Sequence, residues 1–180
     1  MSQTTTIANL NDLIDGINQG APQVLQVYPA DRSSQFVTLL STITPGTTTA
    51  RGAALSTGQT YRNLLSKFEV ATFMLNVISA ATEAGDTLDV FIDLSLDTVT
   101  WFNGIHFTQV LGNGGAKIFV AQLTFPTAAV ADINVTADAA ANAARNLWAP
   151  HVRVGWNNTD ANANVNAIFN FQVSVALQAS

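Results

Sequence analysis

The stretch from Val165 to Leu177 alternates between apolar and polar side chains, and it constrains the fold more than any other segment. Its alternate residues are apolar without exception: Val165, Ala167, Phe169, Phe171, Val173, Val175 and Leu177. Most of the residues between them are Asn, Gln or Ser, and only Ile168 and Ala176 interrupt this set. Successive side chains of a β-strand point to opposite faces, whereas a helix would scatter them around its axis. The pattern therefore predicts a long strand with one face on a core and an amide-rich face in water.

The composition favours a single domain whose surface is poor in charge. The chain has 180 residues, enough for one ordinary core, and only 11% of them are charged, against roughly 25% in an average soluble protein. Its net charge is −5 and no Lys/Arg cluster occurs, which argues against binding to nucleic acid. Such a surface is typical of a subunit that neighbours cover in an assembly. The alternative is an Asn/Thr/Gln-rich soluble domain.

Several classes of protein lack support in this sequence. The absence of cysteine excludes disulfide frameworks, zinc ribbons and thiol catalysis. The polar, uncharged start from Met1 to Thr6 does not match a classical export signal, so we expect a protein that is made without one. No apolar run approaches the roughly 20 residues that a membrane span needs, so we expect no membrane association.

Residues 1–22 are predicted to form an N-terminal arm that carries one short helix. Gly20 and Pro22 would end this helix. A helix this short is marginal alone in water, so its apolar stripe has to dock, either on its own domain or on a neighbouring subunit. The residues that we therefore select as candidate partner contacts are Ile7, Leu10, Leu13, Ile14 and Ile17.

Residues 23–180 are predicted to form one domain, an antiparallel β-sandwich of the jelly-roll kind. About eight strands are expected, the number typical of such sandwiches. An Ala-rich segment, Val135–Asn146, predicts either a short helix or a structured loop. The predicted strands are Gln23–Tyr28, Phe36–Ile43, Lys67–Ala80, Thr87–Leu96, Trp101–Leu111, Lys117–Phe125, Val152–Trp156 and the terminal strand.

Two of these strands and one turn carry more specific predictions. The strand Lys67–Ala80 is apolar on both faces, which predicts either a central strand under a covering segment or a contact with another subunit. In Thr87–Leu96, one face presents Val90, Ile92, Leu94 and Leu96 to the core, and the other presents Asp89, Phe91, Asp93 and Ser95. The run Gly112–Gly115 tolerates the positive φ of tight turns and predicts a hairpin.

No catalytic constellation, metal site or cofactor site is expected. The two histidines, His106 and His151, have no metal-ligand spacing. The run Gly112–Lys117 does not match a phosphate loop, because Ile118 occupies the Ser/Thr position. The carboxylates Asp86, Asp89, Asp93 and Asp97 are spread too far along a strand to chelate calcium, so we interpret them as a solvated face.

The three tryptophans receive different interpretations. Trp156 shares parity with Val152 and Val154 and is expected in the core. Trp101 follows the turn at Asp97-Thr98, where it would either plug one end of the sandwich or form a platform for a sugar ring. Trp148 is the second candidate for such a platform.

One part of the chain resembles small head proteins of tailed bacteriophages. In that group the sequence runs approximately T-L-D-V, then S-x-D-G-x-T-W, then F-T-x-V-x-G, and the chain has similar residues from Asp86 to Trp101 and from His106 to Gly112. The segment Pro150–Trp156 and the Phe-rich last strand are also similar. The chain departs from the pattern at Thr98, where the group has glycine.

The resemblance implies a decoration, or cement, protein of β-sandwich type on the outside of a phage capsid. Such a protein is made in the host cytoplasm and becomes part of the virion. It has no enzymatic activity and clamps neighbouring major capsid subunits, here as a homo-oligomer for which a trimer is favoured. Discoidin-like jelly-roll modules that bind sugars or lipids share the S-x-D-G-x-T-W pattern. The alternative is therefore a carbohydrate-binding module of a tail or host-recognition structure, with Trp101 or Trp148 as its platform.

Overall fold

A computed structural model of the chain describes residues 24–27, 34–43, 59–80, 83–127, 140, 142–161 and 169–179. These residues form strands and connecting segments, and none of them is helical. The strands are β1 (Val24–Val27), β2 (Ser34–Ile43), β3 (Val70–Ala80), β4 (Thr87–Ser95), β5 (Trp101–His106), β6 (Val110–Leu111), β7 (Lys117–Thr124), β8 (Ala143–Ala144), β9 (His151–Thr159) and β10 (Phe169–Gln178).

The first sheet, sheet A, has the antiparallel order β1-β2-β10-β3-β7. Its central strand, β10, is the alternating segment, and the prediction of a strand there is confirmed for the described residues. The inward side chains of β10 are 0% exposed: Phe169, Phe171, Val173, Val175 and Leu177. Each buried side chain of this size contributes about 1.5–3 kcal/mol through removal of apolar surface from water.

The second sheet, sheet B, is built around β4. One edge of β4 pairs with β9, and the other pairs with β5 and then with β6, while β8 extends the sheet beyond β5. A register shift in the β4–β5 ladder leaves Gly104 as a bulge. A Cβ atom on residue 104 would lie 2.8 Å from Cδ1 of Leu94, so a larger residue here would have to displace this buried side chain.

The two sheets contribute to one hydrophobic core. Trp156 of sheet B meets Phe171 of sheet A edge-on, with ring centroids 6.1 Å apart, so the expectation that Trp156 packs on the core is confirmed. Tyr61 also joins the sheets: its backbone N–H and C=O pair with Val152 at 2.8 and 3.0 Å, and its hydroxyl donates to the Leu39 carbonyl at 2.9 Å. The described chain is thus all-β, with two antiparallel sheets in a sandwich-like arrangement.

Of the two interpretations of the two-sided apolar strand β3, the described residues do not show a segment that covers its second face, and the contact with another subunit stays a prediction. The core face of β3 is fully covered, with Phe73, Leu75 and Val77 at 0% exposure. On the opposite face Met74 is half-buried and Ile78 is 44% exposed. The apolar residues of this second face therefore do not pack inside the chain, and part of their surface is open to solvent.

Two other local predictions are corrected. Leu96 is 70% exposed instead of facing the core, because β4 ends at Ser95 and the chain then turns away. The run Gly112–Gly115 is not a hairpin: β6 pairs with β4 in sheet B and β7 pairs with β3 in sheet A, so the turn crosses between sheets. The expected positive φ is confirmed, at 60° for Asn113 and 69° for Gly115.

Several predicted segments lie outside the described residues. These are the N-terminal arm with its short helix and most of Val135–Asn146. The described part of the last segment contains β8, which pairs with Ile105 and His106 of β5, so a strand stands there in place of a helix.

Candidate functional site

Trp101 lies on the outer face of sheet B, at the start of β5 and opposite Ser95. The Arg153 guanidinium sits 4.4 Å from the centroid of its ring, close enough for a cation–π contact. The indole N–H donates to the Thr98 carbonyl at 3.2 Å. One face of this ring is thus occupied by Arg153, and a sugar ring could stack only on the other face.

Trp148 has different surroundings, because it packs against the hydrophobic core. Its ring meets Phe125 edge-on at a centroid distance of 5.9 Å, and Phe125 is itself 53% exposed. The geometry gives Trp148 and Trp101 separate sets of neighbours and does not bring them into one platform. The candidate partner contacts on the N-terminal arm lie outside the described residues: Ile7, Leu10, Leu13, Ile14 and Ile17.

The outer face of β4 is buried, so the interpretation of its carboxylates as a solvated face is wrong. Asp89, Phe91, Asp93 and Ser95 are 9, 3, 0 and 0% exposed, although they point away from the core. The neighbouring strands place long or aromatic side chains beside them, since β9 brings Arg153 opposite Asp93 and β5 brings His106 opposite Phe91. These neighbours shield the carboxylates from water.

Asp89 and His106 form one half of this buried polar face. His106 Nε2 lies 2.9 Å from Asp89 Oδ1, and the Gln109 amide donates to Asp89 Oδ2 at 2.9 Å. The imidazole also stacks on Phe91, with ring centroids 4.2 Å apart. The carboxylate is thus fully engaged by its neighbours and the imidazole is fixed in orientation, as expected for a structural network.

Asp93 and Arg153 form the other half. Arg153 Nε donates to Asp93 Oδ2 at 3.1 Å, and only 1% of the Asp93 side chain and 12% of the Arg153 side chain are exposed. A buried carboxylate is stable only when a charge and hydrogen bonds compensate its lost hydration. Arg153 supplies both here, and its guanidinium then continues over Trp101.

Asp97 organises the turn between β4 and β5. Its Oδ1 accepts hydrogen bonds from the backbone N–H groups of Thr100 at 2.7 Å and Val99 at 2.8 Å, which lower the pKa of its carboxyl to about 2. Ser95 Oγ accepts from the N–H of Thr98 at 2.9 Å. This turn forces Thr98 to a φ of 64°, a conformation that costs a β-branched residue free energy.

Asp86 holds a loop instead of facing solvent. It is 1% exposed, and its two carboxylate oxygens accept from the backbone N–H groups of Glu83 at 3.1 Å and Ala161 at 3.0 Å. Within the described ranges, no group of three or more His, Asp or Glu side chains is placed to hold a metal ion. The same part of the chain contains no helix with the length and hydropathy needed to cross a membrane.

Exposed apolar side chains form a second feature, which the sequence analysis did not identify. Ile118 and Val120 of β7 are 64 and 63% exposed on the outer face of sheet A, next to the half-buried Met74. The signal was present in Lys117–Thr124, where apolar residues occupy both alternating positions, so one set has to face outward. Leu96 at 70% and Val99 at 80% are exposed in the β4–β5 turn, and Leu111 at the end of β6 is 56% exposed.

A groove of about 360 Å³ runs between the β7 edge of sheet A and the β5–β8 edge of sheet B. Its walls include Ile118–Gln122 on one side and Asn142–Ala144 on the other. His106 is the single titratable residue in this lining, and its ring is engaged by Asp89. General acid–base catalysis needs positioned groups that reach a substrate, and the lining offers one such group, already engaged.

The described surface thus combines a polar face whose carboxylates are paired internally with apolar side chains that lack cover. Searches against protein-family models and against curated proteins found no match to this chain.

Proposed function

We propose that this chain is a structural, non-enzymatic protein of a phage particle that binds the outside of the assembled capsid and clamps neighbouring major capsid subunits. The observation that carries the proposal is the exposure of Ile118, Val120, Leu96 and Val99, each at 63% or more, on a chain with only 11% charged residues. Exposed apolar groups that a soluble monomer would hide are typical of surfaces that partners cover.

We further propose that the fold is a jelly-roll β-sandwich. Supporting this, the strand pairing is nested: β2 pairs with β10, the Tyr61 segment with β9, β3 with β7, and β4 with β5. Nested pairing of first with last and second with second-last is what one long rolled hairpin produces, and a jelly roll is a rolled hairpin of this kind.

In this role the protein stabilises the shell by mass action. A ligand that binds only the assembled shell shifts the equilibrium away from disassembly by an amount set by its concentration and affinity. The expected homo-oligomer, with a trimer favoured from the phage resemblance, would bind at several points together and so gain avidity without new contacts. The arm residues Ile7, Leu10, Leu13, Ile14 and Ile17 are the proposed contacts with the major capsid protein.

The test is binding of a truncated chain to purified, undecorated shells. Deletion of residues 1–20 removes the apolar stripe, and the remaining domain is expected to fold but to stay in the supernatant when shells are sedimented. Deletion of residues 2–6 removes only Ser, Gln and Thr before Ile7 and serves as the matched control, which is expected to co-sediment like the full chain. Full occupancy of shells by the 1–20 deletion would exclude the arm as the clamp.

The second candidate function is carbohydrate binding on a tail or host-recognition structure. It is favoured by Trp101, which lies on the outer face of sheet B, is only partly buried, and contacts Arg153 through one face of its ring. A glycan array distinguishes the two functions: binding that Trp101→Ala abolishes favours the carbohydrate module. Absence of binding by the intact chain, together with decoration of shells, favours the capsid protein.

A further inference from the structure

The turn between β6 and β7 contains Asn113 followed by Gly114, and the shape of the turn accounts for both residues. Asn113 has a φ of 60°, in the left-handed region that asparagine tolerates better than most other residues. A Cβ atom on residue 114 would lie 2.7 Å from the Leu111 carbonyl oxygen, a backbone atom that has no side-chain freedom to move aside. The turn therefore favours asparagine directly before glycine.

An asparagine that precedes glycine is open to a reaction with its own backbone. The backbone nitrogen of Gly114 can attack the side-chain amide carbon of Asn113, because a residue without a Cβ atom leaves this nitrogen unshielded. The new N–C bond closes a succinimide ring, and the side-chain NH₂ leaves as ammonia with the proton that the backbone nitrogen gives up. Water then opens the ring at either carbonyl and leaves aspartate or isoaspartate. Water is the co-reactant, and no enzyme is required.

The surroundings of Asn113 permit this reaction in the folded chain. Asn113 is exposed, and residues 112–116 lie between β6 and β7 without belonging to either strand. The Gly114 N–H donates to the Leu111 carbonyl at 3.0 Å, and this hydrogen bond has to break before the nitrogen attacks. Local opening of an exposed turn costs less free energy than global unfolding. The reactive conformation is therefore accessible while the two sheets stay folded.

The side chain of Lys117 gives a second, independent indication. Its Nζ atom lies 3.3 Å from the position that a Cβ atom on Gly114 would take. The ammonium group is thus close to the peptide unit whose nitrogen attacks. A positive charge at this place favours loss of the N–H proton and stabilises the negative oxygen that develops as the ring closes. It also stabilises the carboxylate of the product.

The chain contains the same residue pair a second time, at Asn103 and Gly104 in β5, and there the fold opposes the reaction. Asn103 is 1% exposed, and its side-chain amide donates to the Ile105 carbonyl at 2.8 Å. Both residues belong to a paired strand of sheet B. The side chain of Asn103 is therefore held away from the backbone nitrogen that would attack it.

We propose that Asn113 is a self-modification site, at which the folded chain deamidates through attack by the Gly114 nitrogen with assistance from the Lys117 ammonium group. Each modified copy carries one additional negative charge. Isoaspartate also lengthens the backbone by one carbon atom in the turn that leads from sheet B to sheet A. The reaction belongs to the isolated chain and is independent of whether the protein binds a capsid.

The first test follows both residue pairs during incubation of the folded chain at mildly alkaline pH. Pepsin digestion in acid, where deamidation is slow, separates the pairs, and mass spectrometry measures the exchange of NH₂ for OH. Asn113 is expected to react at least tenfold faster than Asn103. In guanidinium chloride, where the fold is lost, the two rates should become similar. Equal rates in the folded chain overturn the proposal, and so does a difference that persists in the denaturant.

The second test removes the ammonium group. Lys117→Gln is expected to slow deamidation of Asn113 in the folded chain at least threefold, because the charge beside Gly114 is lost. Lys67→Gln removes the same charge from an exposed residue elsewhere and is expected to leave the rate unchanged. An unchanged rate in Lys117→Gln, or equal slowing in both variants, overturns the assistance by Lys117. Asn113→Gln should abolish the signal and so confirm which residue reacts.

Discussion

The central strands of the two sheets, β10 in sheet A and β4 in sheet B, differ in how far the polar side chains of their outer faces are buried. In β10 Asn170 and Gln172 are half-buried, whereas in β4 the corresponding Asp89 and Asp93 are 9 and 0% exposed. Both strands have the same inward pattern of apolar residues. Ser174 is the residue of the outer face of β10 that is buried, at 3%, between Met74 and Thr38.

The difference arises from the neighbouring strands. The neighbours of β10 present short side chains such as Thr38, Thr72 and Asn76 on the outer face, and these leave the amides in partial contact with water. The neighbours of β4 present Arg153 and His106, which reach across the strand and pair with its carboxylates. The outer face of sheet B is therefore held by specific charge pairing, and that of sheet A is not.

The largest expected effect comes from breaking the buried ion pair. Asp93→Ala leaves the Arg153 guanidinium without its buried partner, and the free energy of unfolding should fall by about 3 kcal/mol. The matched substitution in sheet A, Asn76→Ala, lies on a half-buried face and should change it by less than about 0.5 kcal/mol. Urea denaturation of both variants measures the comparison, and equal losses would contradict it.

A double variant sharpens this result. Replacing both partners, as Asp93→Leu with Arg153→Met, removes the charges together and should recover most of the stability that Asp93→Ala loses, since apolar groups of similar size can replace a buried pair. If the double variant is as unstable as Asp93→Ala, packing around Trp101 outweighs the ion pair.

An intermediate effect is expected at Tyr61, which joins the two sheets. Tyr61→Phe removes the hydrogen bond to the Leu39 carbonyl and should lower the free energy of unfolding by about 1 kcal/mol near neutral pH. Burial raises the pKa of Tyr61 from 10.0 to about 12. Because the folded state favours the protonated phenol, its contribution is complete below pH 10 and is lost as the pH rises towards 12.

The advantage of the intact chain over Tyr61→Phe should therefore shrink across this alkaline range. Denaturation at a series of pH values measures the difference in free energy of unfolding between the two proteins. A difference that stays constant up to pH 12 would show that the phenol is not shielded in the folded state.

The smallest expected effect is a gain in stability. Thr98→Gly removes a β-branched side chain from a residue at φ 64° and should raise the free energy of unfolding by about 0.5–1 kcal/mol, less the entropy that glycine adds to the unfolded chain. Val99→Gly, next in the same turn but without a positive φ, should not stabilise. Thermal unfolding of both variants distinguishes relief of strain from a general effect of glycine.

The sequence predicted those features of the fold that depend on side-chain periodicity. Alternation identified β10 and the core face of β4, and both are correct because a buried face imposes a period of two on any strand. Likewise the positive φ at Asn113 follows from local turn chemistry. Thr98 also has a positive φ, which its residue type does not predict.

The predictions that were wrong concern residues whose surroundings depend on which strands become neighbours in the folded chain. The carboxylates Asp89 and Asp93 were expected in water because nothing local indicates that His106 and Arg153 would lie beside them. The turn at Gly112–Gly115 was expected to join paired strands, but its residues fix only the local backbone and not the sheet that follows. The exposed face of β7 was missed because apolar strands are usually assumed to be covered.

The position of β10 between β2 and β3 has a consequence for how the chain folds during translation. The flanking strands are made well before β10, yet they have no shared partner until residues 169–178 leave the ribosome. Until then a gap divides sheet A, and its apolar walls are exposed to chaperones or to strands of other nascent chains. Completion of the sheet is thus a late event that local pairing of early strands cannot replace.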